Sequence, residues 1–472
     1  MFKQNHPYHL ALAVGGGASL LGLLVGSLAG TNPLLIGLLF VSIATTVFFF
    51  WRFEQASLYL LIIRSALDAF SDQGLPAAFT MGLNILILIY LLTRLLAGQR
   101  IQTDRFWWVF AGWVALQGFW VILMPLGGLG FDASYLADSI RDWLRLFSWL
   151  MVYLMVMQLR GRVGPIKVIN LLLLALVIPF IVALLQVLIP NGLPAFLAIN
   201  PNQDGYRING TLGLANTFAS FLALFISLIY WRLNQAQHKL PWLCLLAALI
   251  FFLTTTKTLV GLVMLAVMIL TLMLTRFSPA KLFGFGILFA LTILLFASSE
   301  VGQARLASIA QTPLLNPDID LSRSILLAGG DQNSFNWRLA QWTSLVSAWT
   351  RAPILGYGLG TAPYMGYIFS AAHNDYVRAL FEGGIVGLMT FLGFLGIQIT
   401  RLIGLIRSPL SSESQKQFCW ALLSFLMAAM VGMLTENIWS HTANFLYWYA
   451  FSAIAGWNWS EFESPHRSET FL

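Results

Sequence analysis

Long apolar blocks separated by short polar segments run along the whole chain of 472 residues. The blocks are roughly 17–24 residues long, the length at which a helix rising 1.5 Å per residue crosses a hydrocarbon core of about 30 Å. They predict spans at 10–28, 33–51, 55–71, 76–96, 106–124, 142–159, 168–190 and 211–231. The stretch 241–275 is too long for one helix and carries Thr254-Thr255-Thr256-Lys257 at its middle, so it divides in two. Spans at 282–298, 384–403, 417–435 and 442–458 complete the set. The total is about 14, or about 12 if the short pieces are re-entrant or fused. The block from Leu10 is long, Gly-rich and closely followed by another span, so it reads as a first membrane helix, not a cleaved signal. The expected fold is an all-α polytopic membrane protein, one membrane domain over 1–472.

Composition agrees with the pattern. Hydrophobic residues make up 58% and charged residues 10%, with a mean hydropathy of +0.78. A soluble domain carries roughly 25% charged residues, and a soluble chain with this balance could not cover its surface. The two cysteines, Cys244 and Cys419, both lie inside apolar blocks and do not read as a disulfide. The six histidines (His6, His9, His238, His373, His441 and His466) show no metal-ligand spacing. The net charge of +7 is no argument for nucleic acid, because excess Lys and Arg in such a chain collect in cytoplasmic loops.

With the N-terminus inside, the inner loops hold Arg52, Arg94/Arg100/Arg105, Arg160/Arg162/Lys167, Arg232/Lys239, Arg276/Lys281 and Arg401/Arg407/Lys416. This alternation is what the positive-inside rule expects. It places outside the loops 125–141 and 191–210 and the large polar interval 299–372. Within that interval Trp337, Trp342, Leu345, Val346 and Trp349 fall close to helical spacing and predict an amphipathic helix against the membrane surface. No internal repeat is visible, which weighs against an inverted-repeat transporter.

Several basic residues stand outside despite the rule: Arg141, Arg145, Arg207, Lys257, Arg305, Arg323, Arg338, Arg351 and Arg378. Some can pair with Asp138, Asp142, Asp331 or Glu382, but as a group they suggest an anion site, since guanidinium grips phosphate oxygens bidentately. The sharpest local feature is His373-Asn374 followed by Glu382-Gly383-Gly384 at the start of an apolar span. A histidine where water meets the membrane can act as a general base or a charge-tuned donor, and it can equally be a helix cap or a solvated loop residue. Glu382 follows Arg378 by four residues, so a helix-surface ion pair is its plainest explanation.

Three stretches together resemble the O-antigen ligase/O-antigen polymerase superfamily of bacterial GT-C type membrane glycosyltransferases. The first is His-Asn-x-x-(apolar)-x-x-x-x-Glu-x-Gly-x-x-Gly, from His373 on, preceded by Arg351-Ala352-Pro353-Ile354-Leu355-Gly356-Tyr357-Gly358-Leu359-Gly360. The second is Arg207-Ile208-Asn209-Gly210-Thr211 leading to Asn216, and the third is Arg338 four residues before Trp342. The resemblance covers roughly 200–390. It implies transfer of a glycan from a polyprenyl-diphosphate carrier to an acceptor, such as lipid A core or a growing polysaccharide, at the outer face of the bacterial cytoplasmic membrane. It further implies that no metal and no other cofactor is required. Arg338 and Arg207 would hold the diphosphate and His373 would act on the acceptor hydroxyl. Lys257, Arg323, Arg351, Asn374 and Glu382 are the further candidates for substrate binding. The family usually carries Ser-Arg where this chain has Thr256-Lys257; lysine keeps the charge and loses the bidentate fork, and Arg323 is then the candidate to replace it.

The rival from another class is a transporter of a small anion such as bicarbonate, an activity ascribed to some relatives. A transporter needs charged or broken helices near the bilayer midplane. Arg64 and Asp68 are the residues that qualify, and they read equally well as a helix-packing pair.

Overall fold

The computed structural model describes residues 33–199, 206–274, 279–310, 312, 322–323, 334–366 and 370–460. Sixteen helices longer than a single turn carry these residues, and no strand occurs among them. They are α1 (Pro33–Trp51), α2 (Phe53–Leu67), α3 (Leu75–Leu96), α4 (Arg105–Leu123), α5 (Leu136–Met157), α6 (Pro165–Leu172), α7 (Val177–Leu188) and α8 (Ala215–Gln235). Then follow α9 (Leu240–Thr255), α10 (Leu259–Met273), α11 (Pro279–Ala297), α12 (Glu300–Ala310), α13 (Ser334–Trp349), α14 (Asp375–Arg407), α15 (Glu413–Gly432) and α16 (Thr442–Ala455). Every expected span coincides with a helix except 10–28, which lies outside the described residues.

The chain is a polytopic membrane protein. Five helical segments are long and apolar enough to cross a bilayer: α3, α4, the run Pro165–Leu188 formed by α6 and α7, α8, and α14. The pair α11 and α12, bent by 99°, adds a sixth if it is one broken span. That count is smaller than the 12–14 expected, for identifiable reasons. α9 and α10 are only 16 and 15 residues long because the chain turns at Thr256–Thr258. α5 carries Asp138, Arg141, Asp142 and Arg145 along its first half.

Helix α8 is apolar on all sides, and it is the inner post of the bundle: Phe218, Phe221, Leu224, Phe225 and Leu228 are fully enclosed. α9, α10, α15 and α16 pack around it, and the second half of α5 packs on α16, in one aromatic-rich core with Trp149, Tyr447, Trp448 and Phe451. The outer helices show the opposite pattern. α3 leaves Met81, Ile85, Leu88, Leu92 and Leu95 exposed, an apolar face that a bilayer solvates without cost.

At one end of the bundle Asp104 caps α4 through Trp107 N (2.7 Å) and also accepts from Tyr153 Oη (2.6 Å) and Arg401 Nη2 (3.3 Å). Arg401 reaches on to Ser452 O and Oγ at 3.0 and 2.8 Å. One acid and one guanidinium thereby tie α4, α5, α14 and α16 together. The pair Arg64–Asp68 closes on itself at 2.7 Å with Arg64 2% exposed, the geometry of a helix-packing pair.

At the other end α14 breaks at Gly384 (φ 62°, ψ −162°). The segment before the break runs beside the glycine-rich loop, with Tyr357 N on Phe381 O (3.0 Å), Gly358 N on Glu382 O (2.8 Å) and Ile385 N on Pro353 O (2.9 Å). The backbones approach so closely that a Cβ on Gly384 would stand 2.2 Å from Ile354 O. The amphipathic helix expected around Trp337–Trp349 is α13; Leu345 is fully buried and packs with Ala348, Tyr357, Ala372 and Phe381. α13 therefore docks on protein, over the start of α14.

Gly384→Ala combines a left-handed residue with that clash, and we expect a loss of about 2 kcal/mol or more. Gly396→Ala, on the same helix with nothing within 4 Å of the added Cβ, should be close to neutral. Thermal unfolding of the two purified variants in detergent compares them; equal midpoints would refute the backbone argument.

Candidate active site

The candidate site forms at this second end of the bundle, where several turns converge on Glu436, in the loop between α15 and α16. Glu436 is 4% exposed, so its charge survives only through its partners. Its Oε1 accepts from Asn437 N (3.0 Å) and meets His373 Nδ1 at 2.8 Å. Its Oε2 accepts a short hydrogen bond from Asn216 Nδ2 and lies 3.8 Å from Arg338 Nη2. Burial by itself would raise the pKa of this carboxyl. The hydrogen bond and charge of His373, with Arg338 and His441 behind it, outweigh burial and bring it down to about 2.

His373 is held by its backbone as much as by its ring. It adopts φ 48°, a conformation rare outside glycine and a mark of a constrained position. The next residue, Asn374, caps α14 by accepting from Tyr376 N and Val377 N (3.0 Å each) and donates to Leu434 O (2.9 Å). From the other side α13 grips the approach through Gln341 Nε2 on Ser370 O (2.7 Å) and Trp342 Nε1 on Ala372 O (2.8 Å). Trp337 presents its ring edgewise to His373 at 5.0 Å, and the Arg338 guanidinium lies 4.9 Å over the Trp337 ring. With Nδ1 engaged by a carboxylate, Nε2 is the nitrogen left to face a substrate, and the side chain is 21% exposed.

Arg207 joins the group from below. Its Nε donates to Thr256 O (3.0 Å) and its Nη2 to Asn216 Oδ1 (2.8 Å). Asn216 thus bridges Arg207 to Glu436. The loop carrying Arg207 is pinned by Gln186, whose Oε1 accepts from Asn209 N (3.0 Å) and Gly210 N (2.9 Å). Lys257 occupies the tight α9–α10 turn with φ 52°, adjacent to the carbonyl that Arg207 uses. Partial burial lowers the pKa of its amine, Glu300 opposes that shift, and the Arg207 charge adds to it.

The other sequence candidates fall elsewhere. Asn374 is a cap, as described. Glu382 is buried and accepts from Ala362 N at 3.2 Å; it faces the glycine-rich loop and not His373. Its expected pairing with Arg378 is replaced: Arg378 Nη2 meets Asp375 Oδ1 at 3.2 Å and its Nη1 donates to Ser440 Oγ at 2.7 Å. Arg351 is exposed at the end of α13, with no contact to this group among the described residues. Arg323 is exposed, with its chain neighbours outside the described residues. Among the described residues no cluster of three or more His, Cys, Asp or Glu is placed to hold a metal ion.

Sequence reading missed Glu436 as the hub, and with it Asn216 and His441. Asn216 stood inside a quoted motif without a role. Glu436 offered one signal, an acid at an outer turn between two apolar spans. His441 is buried beside the hub with Nδ1 2.6 Å from Ser220 Oγ. Burial lowers its pKa to about 4 against the pull of Glu436, while the positive charges of His373, Arg145 and Arg378 add to the fall.

The pH consequence follows from linkage. A histidine with its pKa lowered on folding takes up a proton on unfolding between its two pKa values, so its stabilisation is complete above about 6.5 and lost as pH falls toward 4. Glu436 loses its own contribution mainly below that window, from about 4.5 down to about 2. Relative to His441→Gln, which removes this group and leaves the other buried acids in place, the wild type should therefore lose up to about 3 kcal/mol between pH 6.5 and 4. A stability difference between the two proteins that does not change with pH would sink the assignment.

Among curated proteins no sequence matches the chain. Residues 242–392, which carry Lys257, Arg338 and His373, match the model of a family described as O-antigen ligase. That match supports a glycan-transfer role in the membrane, and it supports the resemblance of this part of the chain to the O-antigen ligase/O-antigen polymerase superfamily.

Proposed function

We propose that this protein transfers a glycan from a polyprenyl-diphosphate carrier to an acceptor hydroxyl, at the outer face of the bacterial cytoplasmic membrane. The observation that carries the reading is the Glu436–His373 contact of 2.8 Å within a group that also holds Arg338, Asn216 and Arg207. A carboxylate on Nδ1 fixes the tautomer that leaves Nε2 basic and stabilises the imidazolium that forms when Nε2 takes a proton.

The step balances as a displacement. The acceptor O–H gives its proton to His373 Nε2 while its oxygen bonds to the anomeric carbon of the donor. The bond from that carbon to the diphosphate breaks, and the diphosphate leaves with the electron pair. Arg338 and Lys257 receive the growing negative charge. Arg207 adds its charge from beneath while it holds Asn216 against Glu436. Preorganised cations in a site of low dielectric stabilise such a leaving group without reorganisation, and this chemistry asks for no metal. The acceptor is lipid A core, a growing polysaccharide or another hydroxyl-bearing molecule.

His373→Ala should abolish surface glycan assembly with the protein inserted at normal levels. Full polysaccharide banding on gels of that mutant would overturn the catalytic role. Glu436→Gln keeps the shape and removes the charge, so its turnover should fall by about 10–100-fold with the pH–rate profile displaced and KM little changed. A change confined to KM would remove Glu436 as a positioning residue. For a transport function, saturable uptake of labelled bicarbonate into proteoliposomes would be the expected result in place of these losses.

A further inference from the structure

A second polar space lies behind the Glu436 site, among α4, α5 and the first turns of α14. Its walls include Trp113, Gln117, Arg145, Asp375, Glu382 and Trp439. It encloses about 490 Å³ with its open mouth counted, and a closed core of about 50 Å³. The core is room for about four waters, so it takes a hydroxyl or two of a ring whose body sits in the mouth.

Both arginines in these walls are already paired with acids. Asp142 Oδ2 meets Arg145 Nη2 at 3.0 Å, and Asp375 Oδ1 meets Arg378 Nη2 at 3.2 Å. Asp375 Oδ2 accepts from Trp439 N (2.7 Å), and Glu382 Oε1 from Ala362 N. Hydrogen-bonding capacity for a neutral partner is what remains. Trp113 Nε1 and Arg145 Nε are buried donors with no acceptor among the described residues. Trp113 is 8% exposed and Gln117 7%, and the Gln117 amide makes no hydrogen bond within the described residues although it lines the space. A buried donor left without an acceptor costs about 1–3 kcal/mol, so natural interiors leave few of them. Here an indole N–H, an amide and a guanidinium N–H belong to residues in the walls of one open cavity.

We infer that this cavity is a sugar subsite: it binds one neutral glycosyl unit of the donor or acceptor glycan through its hydroxyls. Donors and acceptors side by side, with both arginines paired and Glu382 left as a further acid, suit a polyol and disfavour a diphosphate, which would meet Asp142, Asp375 and Glu382. The location fits the same ligand. Segment 373–378 carries His373 toward one space and Asp375 and Arg378 toward the other, and segment 436–440 does the same with Glu436 and Trp439. A sugar seated here would thus lie one backbone away from the base. This inference rests on the glycan-transfer reading for its biological ligand, but the binding itself can be tested separately.

The test is saturation-transfer NMR on the full-length protein in detergent, with the methyl glycosides of glucose, galactose and N-acetylglucosamine as probes. At least one should receive saturation from the wild type. Trp113→Phe, which removes the orphan N–H and keeps most of the ring, and Gln117→Leu should each weaken that binding about ten-fold. Unfolding midpoints verify that both variants are folded, and Trp113→Phe carries the test alone if Gln117→Leu is not. His373→Ala should bind the sugar as the wild type does. No transfer to any of the three probes, or equal transfer in wild type and Trp113→Phe, would overturn the subsite and leave a cavity filled by water only. Sugar binding intact beside unimpaired glycan assembly in His373→Ala would instead overturn the transfer reading and leave the subsite standing.

Discussion

An ionised carboxylate buried in an apolar helical bundle is the constraint around which the Glu436 end of this protein is arranged. Glu436 cannot keep its charge unless cationic and hydrogen-bonding partners reach it. Those partners come from separate parts of the chain: Asn216 from α8, Arg338 from α13, and His373 from the residues ahead of α14. Through Asn216 and Arg207 the same requirement extends to Thr256 and the α9–α10 turn. Each of these elements enters the membrane region at a position compatible with one acid, which makes the acid a positional reference for the rest.

The inner clamp shows what distinguishes a structural ion group from a reactive one. Asp104, Tyr153 and Arg401 use the same chemistry, an acid beside a guanidinium with a hydroxyl between them. There the groups satisfy one another, and Arg401 is further covered by the Phe106 and Tyr153 rings. At the outer end His373 spends one nitrogen on Glu436 and keeps the other at a partly open surface. Its left-handed backbone reinforces the contrast, because strain of this kind persists only where neighbours over-determine the geometry.

Sequence pattern revealed the spans, since twenty apolar residues have few alternatives to a membrane helix. It also separated α9 from α10, because Thr-Thr-Thr-Lys has no place in mid-membrane. His373, Arg338, Arg207 and Lys257 were legible from residue type and spacing, and the fold brings them to one neighbourhood. Glu436 was not legible, because a lone acid in an outer turn is indistinguishable from a solvated one until its partners, 63 and 220 residues away, are known. The Glu-Gly-Gly motif divides between two jobs: Gly384 and Gly356 are required by two backbones in contact, and Glu382 faces the second cavity.

The two polar spaces differ in their charge balance, and that difference bears on how a glycan would lie. Around His373, Arg207, Arg338 and Lys257 outnumber the acids Glu436 and Glu300, an excess that suits a diphosphate. Around Trp113 both arginines are paired with acids, Glu382 adds a third acid, and hydrogen-bond donors remain, which suits hydroxyls. A lipid-linked sugar has both halves, an anionic leaving group and a neutral ring, joined at the bond that must break. A protein that sorts anion from polyol on either side of one pair of chain segments would hold that bond at the boundary between them. The boundary is the short stretch carrying His373 and Glu436, so under the proposed reaction binding selectivity and proton transfer would be consequences of one local geometry.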